Sequence, residues 1–356
     1  MLLMLLVASK VKAAENETFW VLITKVPEQY VFPLEIEQNA IWVFKSIKAL
    51  DKNLLIADDN DKVTLYYKGK IIKSIYKPQN RNDTEYWANI GAELLDLAFE
   101  KSAKAAKKDF EAIDIMMNEY VRNLDKDTKY YANVDEVDRP LHQINFADRR
   151  ENENLWIKIG NFDKYTKDKI MKSLSENEDI KGVILDLRGS HGGQLATAIE
   201  VADLFLDEGI VVSVVGRNSN EVVYYNSADG DLSEGKPMVV LVDGDTASAA
   251  EVLAMALQEQ GRAKIVGTKS FGKGIIQNLI NLPNGGVLAL SNATLYTPSG
   301  KKLSDVAIVP DICTFEMPED KNIKNLLALP KDEICLAEAR LNSDLEIKIA
   351  NELLKM

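Results

Sequence analysis

The spacing of apolar positions changes character once along the chain, near residue 155. Before it, Ile36 to Leu50 carries a short helical pattern. Val63 to Tyr67 and Ile71–Ile72 alternate about Lys68-Gly69-Lys70, which predicts a small hairpin. Asp83 and Thr84 then offer a helix cap, and Trp87, Ile90, Leu94, Leu95 and Leu97 fall on one helical face. A second helical run goes from Phe110 through Ile113, Met116, Met117 and Tyr120. The stretch 133–154 is polar, contains Pro140 and reads as a linker. From Leu155 the pattern alternates between short apolar runs and helical spacing. Trp156–Ile159, Gly182–Leu187, Ile210–Val214 and Met238–Val242 read as strands, with helices over Thr166–Leu174 and Ala196–Phe205. Strands alternating with helices predict a layered α/β domain. An amphipathic helix over Leu341–Leu354 closes the chain.

Composition narrows the classes of function. A chain of 356 residues that is 46% hydrophobic can bury a substantial core. Its net charge of −12 has acids and bases interleaved, so no basic patch suits nucleic acid or anionic lipid. Met1 to Ala8 is uncharged and mostly apolar, and Val11 and Ala13 have the spacing of a signal-peptidase site, which predicts a secretory signal over 1–13. Lys10 and Lys12 fall after the apolar run rather than before it, against the usual order. No other segment approaches the ~20 apolar residues of a membrane helix, so the mature chain is expected to be soluble. Export would permit a disulfide between Cys313 and Cys335; two buried thiols are the alternative. With only His142 and His191 in the chain and no Cys/His cluster, no metal site is expected. Asp58-Asp59-Asn60-Asp61 resembles a calcium loop but lacks its Gly and distant Glu, and reads as a solvated turn.

The candidate chemistry lies between Asp243 and Gln277. Ser248 stands where the Met238–Val242 strand hands over to a helix. Ser248-Ala249-Ala250-Glu251 matches a capping box, which explains the serine without any function. The same geometry also places a hydroxyl beside free N–H groups able to hold an oxyanion. A nucleophilic serine needs a base, and Lys273, flanked by Gly272 and Gly274, is better placed than His191. Serving as base near neutral pH requires depressing a reference pKa of ~10.4 by about three units through desolvation. In a strand, Gln277 would share a face with Lys273 and could orient it. The glycine loop Arg188-Gly189-Ser190-His191-Gly192-Gly193 suits an oxyanion or a phosphate, but has neither the Walker ending nor dinucleotide spacing.

Taken together, Asp186-Leu187-Arg188 with Gly192-Gly193, Thr246-Ala247-Ser248-Ala249-Ala250-Glu251, Gly261-Arg262-Ala263, Val266-Gly267, Phe271-Gly272-Lys273-Gly274, Gln277, Tyr296-Thr297-Pro298-Ser299-Gly300 and Ile308-Val309-Pro310-Asp311-Ile312 resemble the C-terminal processing (tail-specific) peptidases of serine peptidase family S41. The resemblance covers roughly residues 155–315. It implies a ClpP/crotonase-like layered α/β core over 155–316, after a mainly helical N-terminal region (14–132) and before a C-terminal tail and helix (317–356). It also implies Ser248 as nucleophile, Lys273 as general base, Gln277 as the residue orienting that lysine, and Gly193 and Ala249 as oxyanion donors. No cofactor is implied. The family's substrates are polypeptides with accessible C-terminal tails, the expected compartment is the bacterial periplasm, and an activating partner or homo-oligomer is conceivable. Members usually carry a PDZ domain of about ninety residues where this chain has only 133–154, too short a segment for one. A ligand-binding protein without turnover and a crotonase-type acyl-CoA enzyme are the rival readings.

Overall fold

The computed structural model describes residues 17–108, 111–136, 145–217, 221–228, 230–317, 335–340 and 344–356. The expected signal over 1–13, His142 and the start of the Leu341–Leu354 helix lie outside them. The chain forms two units: one takes residues up to Arg139 together with Gln277–Ala293, the other Pro140–Ile276 together with Thr294–Met356.

In the first unit, residues 17–29 are helical, followed by helices α1 (Ile36–Lys45), α2 (Thr84–Lys101) and α3 (Ala112–Tyr120). The Asp83 carboxylate accepts the Tyr86 N–H at 2.9 Å, the cap expected of that residue. Trp87, Ile90, Leu94 and Leu95 are buried with Phe19, Phe44 and Tyr120 in one core. The expected hairpin forms from β2 (Lys62–Tyr67) and β3 (Lys70–Tyr76), and β1 (Leu54–Asp58) pairs with β2 to make three strands. Lys68 and Gly69 turn it with φ of 49° and 75°, the left-handed pair a tight hairpin requires. The Asp59 carboxylate caps its own turn, accepting from the Asp61 and Lys62 N–H groups. In this unit β4 (Lys129–Tyr131) pairs antiparallel with Val287–Ala289.

The second unit is built on a six-stranded sheet whose strands lie in the order β12 (Ile312–Cys313), β11 (Lys264–Gly267), β10 (Met238–Val242), β7 (Val183–Asp186), β6 (Asn154–Ile159) and β5 (Phe146–Glu151). All neighbours are parallel except the edge strand β5, which runs antiparallel to β6. Strand β5 lies inside the stretch read as linker. None of its residues is fully buried, and four charged ones stand in a row, Asp148, Arg149, Arg150 and Glu151, so a half-exposed edge strand has the pattern of a polar connector.

Strands β7 and β10 are buried at every position, and apolar at every one but Asp186, because both faces of the sheet are covered. Along β10, Val240 and Val242 face one side and Val239 and Leu241 the other. The first side packs on helices α4 (Thr166–Ser175), α5 (Leu195–Asp203) and α6 (Ala249–Glu259), through Ile170, Ala198, Val201, Leu253 and Leu257. The second packs on the C-terminal helix α7 (Leu345–Leu353), through Leu345, Ile349 and Ala350. A separate antiparallel set joins β8 (Gly209–Val215), β9 (Val222–Ser227) and Thr294–Tyr296. The layered α/β expectation holds.

Candidate active site

Parallel strands deliver their loops to the same edge, so the turns after β7 and β10 become neighbours. After β10 the chain runs Asp243–Ala247 and reaches Ser248 immediately before α6, the strand-to-helix placement read from the sequence. Ser248 stands at φ 58°, ψ −123°, a conformation that costs a residue with a Cβ about 1–3 kcal/mol. Its surroundings hold it there. Thr246 Oγ1 donates to the Leu187 carbonyl at 3.0 Å, and the Ala247 N–H donates to the Ser190 carbonyl at 2.8 Å.

These bonds press the glycine loop against the serine. A Cβ on Gly192 would lie 2.8 Å from the Ala249 nitrogen and 2.9 Å from the Ser248 Cβ, so only glycine fits. Gly193, at φ 139°, bridges in parallel to Phe162. That bridge uses the Gly192 carbonyl, which accepts from Phe162 at 2.9 Å, and the Gln194 N–H, which donates to Phe162 at 2.9 Å. The Gly193 N–H stays outside it. Gly192 is thus packed against Ser248 and Ala249, at the start of a helix whose N-terminus favours negative charge, and Gly193 follows it in the chain.

Lys273 is brought in by Glu251. This carboxylate has no exposed surface. Oε2 accepts the Ser248 N–H and the Lys273 N–H, both at 2.9 Å; Oε1 accepts the Ser270 hydroxyl at 2.5 Å and the Gly272 N–H at 2.7 Å. One side chain therefore ties the backbone of the candidate nucleophile to that of the candidate base. Burial pushes its carboxyl above the ordinary range, against the pull of those four donors. The capping-box spacing pointed to the Ser248 contact; nothing local pointed to the other three. Lys273 itself is half-buried, between Gly272 and Gly274. Gln277 opens the short stretch that returns to the first unit. There its Nε2 donates to the Asp127 carbonyl and, at 3.4 Å, to the Ala289 carbonyl.

Beneath the glycine loop, Arg188 donates from Nε and Nη2 to both Asp186 oxygens at 2.9 and 2.6 Å, and from Nη1 to Glu346 of α7 at 3.2 Å. Lys158 adds a contact to Asp186 at 3.2 Å. Burial works to raise the Asp186 carboxyl, but the Arg188 hydrogen bonds and charge, with Lys158, hold it below the ordinary range. Burial likewise lowers the Lys158 ammonium. Cys313 and Cys335 are bonded, with sulfurs 2.08 Å apart. Among the described residues no group of three or more His, Cys, Asp or Glu could hold a metal ion, and no helix is long and apolar enough to cross a membrane.

Residues 155–314 match the model described as peptidase family S41. The carboxy-terminal-processing protease of Bartonella bacilliformis is 41% identical over 180 residues, which is 51% of this chain and 40% of that protein. The carboxy-terminal processing protease CtpA of Bacillus subtilis is 32% identical over 177 residues, 49% of this chain and 37% of that one. This chain thus spans 40% or less of the length of these relatives. Among solved structures, a photosystem II D1 C-terminal processing protease aligns with 26% identity over 52% of this chain and 46% of its own, at a TM-score of 0.41.

Proposed function

We propose that the chain is a serine endopeptidase that cleaves peptide bonds near the C-termini of exported proteins by a Ser-Lys mechanism. Lys273, as the free amine, takes the Ser248 Oγ proton while Oγ adds to a substrate carbonyl carbon. The Gly193 and Ala249 N–H groups hold the resulting oxyanion. The tetrahedral adduct collapses with loss of the C–N bond, and the lysine ammonium gives its proton to the departing amine. Water, losing a proton to Lys273, then attacks the acyl-enzyme ester, and the serine leaves with its proton restored and the new carboxylic acid released. Gln277 is assigned to orienting the lysine. No cofactor enters these steps.

The observation that carries this reading is the Glu251 carboxylate, joined at once to the Ser248 and Lys273 backbones beside a glycine loop that admits no Cβ. A helix cap alone has no use for the last three of its four donors. The Cys313–Cys335 bridge suits an oxidising compartment such as the bacterial periplasm. With 133–154 in place of a PDZ domain, tails are recognised by the catalytic core itself or by a partner.

Ser248→Ala and Lys273→Ala are each expected to lower cleavage of an unstructured polypeptide by at least about 10⁴-fold with the fold intact. Products read by mass spectrometry, beside far-UV circular dichroism, test this. Full activity of the lysine variant overturns the Ser-Lys assignment.

A further inference from the structure

Asp243 lies between β10 and Ser248, is fully buried, and has no place in the steps above. Its two oxygens serve different parts of the second unit. Oδ1 accepts the Gly189 N–H at 2.8 Å and the Asp245 N–H at 3.1 Å, so it fastens the start of the glycine loop to the nucleophile's turn. Oδ2 accepts the Arg340 N–H at 3.0 Å, from 97 residues downstream.

Arg340 belongs to a short segment laid along the same turn. The Gly244 N–H and Thr268 Oγ1 donate to the Glu338 carbonyl at 2.8 and 2.6 Å, the Glu338 N–H returns to Thr268 Oγ1 at 3.2 Å, and the Lys269 N–H reaches the Leu336 carbonyl at 3.3 Å. The approach is close enough that a Cβ on Gly244 would lie 2.9 Å from the Glu338 nitrogen. The segment includes Cys335, bonded to Cys313 on the edge strand β12. Every hydrogen bond in this set joins a turn that carries site residues to a piece of chain remote from it.

We propose that Asp243 is a positioning residue, setting the glycine loop against the Ser248 turn, and that the tail segment 335–340, stapled by its disulfide, is the brace that holds Asp243 in place. This deepens the peptidase reading and rests on it. The physical reason is that oxyanion stabilisation depends on donors fixed before charge develops, and a loop held through one carboxylate moves when that carboxylate is free to turn.

The test uses the full chain cleaving an unstructured polypeptide. Asp243→Ala removes both attachments, and kcat is expected to fall about 100-fold with KM within about threefold of wild type. Asp243→Asn keeps an oxygen for the glycine loop but sets an amide against the Arg340 N–H, and is expected to recover about tenfold of that loss. Joint replacement Cys313→Ser and Cys335→Ser is expected to cost about tenfold in kcat, and adding Asp243→Asn to it less than about threefold more, because both act through one contact. Hydrogen exchange of the Gly189–Gly193 amides reports the same coupling without activity and is expected to quicken in all these variants. Unchanged exchange, a rise in KM at constant kcat, or costs that simply multiply overturn the inference. A wild-type chain that cleaves nothing overturns the peptidase reading, and exchange alone then decides the brace. If Asp243→Ala does not fold, the asparagine and cysteine variants decide.

Discussion

Asp186 and Glu251 are buried carboxylates at the ends of adjacent parallel strands, Asp186 closing β7 and Glu251 one turn into the helix after β10, yet they are held in opposite ways. Asp186 is gripped by cations, a forked pair of bonds from Arg188 and a third contact from Lys158. Glu251 accepts from neutral donors, three backbone N–H groups and one serine hydroxyl. Their titrations part accordingly, Asp186 held down and Glu251 pushed up. The first arrangement makes a brace that stays ionised at any ordinary pH. The second ties the Ser248 and Lys273 backbones to one carboxyl group through hydrogen bonds, and its proton is held more tightly than that of a solvated glutamate.

Breaking the cationic brace should have the largest effect. Arg188→Ala leaves Asp186 and Glu346 buried without their guanidinium and is expected to cost about 3–5 kcal/mol of stability, read from urea unfolding. A loss under 1 kcal/mol would mean that Lys158 and Arg340 suffice and that the contrast between the two carboxylates is overdrawn. Arg340 already reaches Glu346 at 3.0 Å, so the experiment has a real alternative outcome.

The neutral clamp should fail differently. Glu251→Gln keeps the shape but turns one acceptor into a donor facing N–H groups or a hydroxyl, with an expected loss of about 2 kcal/mol of stability. Cleavage is expected to fall more, about 100-fold, because Ser248 and Lys273 lose their shared anchor. Stability lost without kcat lost would make Glu251 a helix cap and nothing else.

The smallest effect separates the two groups by pH. The folded-state pKa of Glu251 lies above its ordinary 4.5, so the native state holds that proton more tightly than the unfolded chain. Its contribution to stability is complete below 4.5 and lost as pH rises through the folded value. Asp186 is the reverse: folded below its ordinary 3.8, it contributes fully above 3.8, and that contribution is lost as pH falls through the folded value. Urea midpoints between about pH 3 and 8 should therefore lose their downward slope above 4.5 in Glu251→Gln while keeping the acid loss. An unchanged slope in that variant would refute the upward shift.

Much of the second unit was legible because its signals are local. The apolar runs Val183–Leu185 and Met238–Val242 sit between helical spacings, and small residues mark the turns, so strand, turn and helix could be placed to within a residue or two at Ser248. The edge strand β5 was read as linker because an exposed strand with charged outward positions has no apolar alternation to show. Glu251 was legible as a cap, three residues after Ser248, but its bonds to Ser270, Gly272 and Lys273 cross 19 to 22 residues of helix and strand.

What the sequence determined by itself, then, is the alternation of strand and helix and the residue types at each turn, since these follow from spacing, capping and the conformational freedom of glycine. What the tertiary structure alone decided is which turns meet. Gly192 touches Ser248 because β7 and β10 are parallel neighbours, and Asp243 meets Arg340 because the tail is bonded at Cys335 back to the sheet. Contacts over 50 to 100 residues depend on the packing of the whole sheet, and no short stretch of sequence carries that.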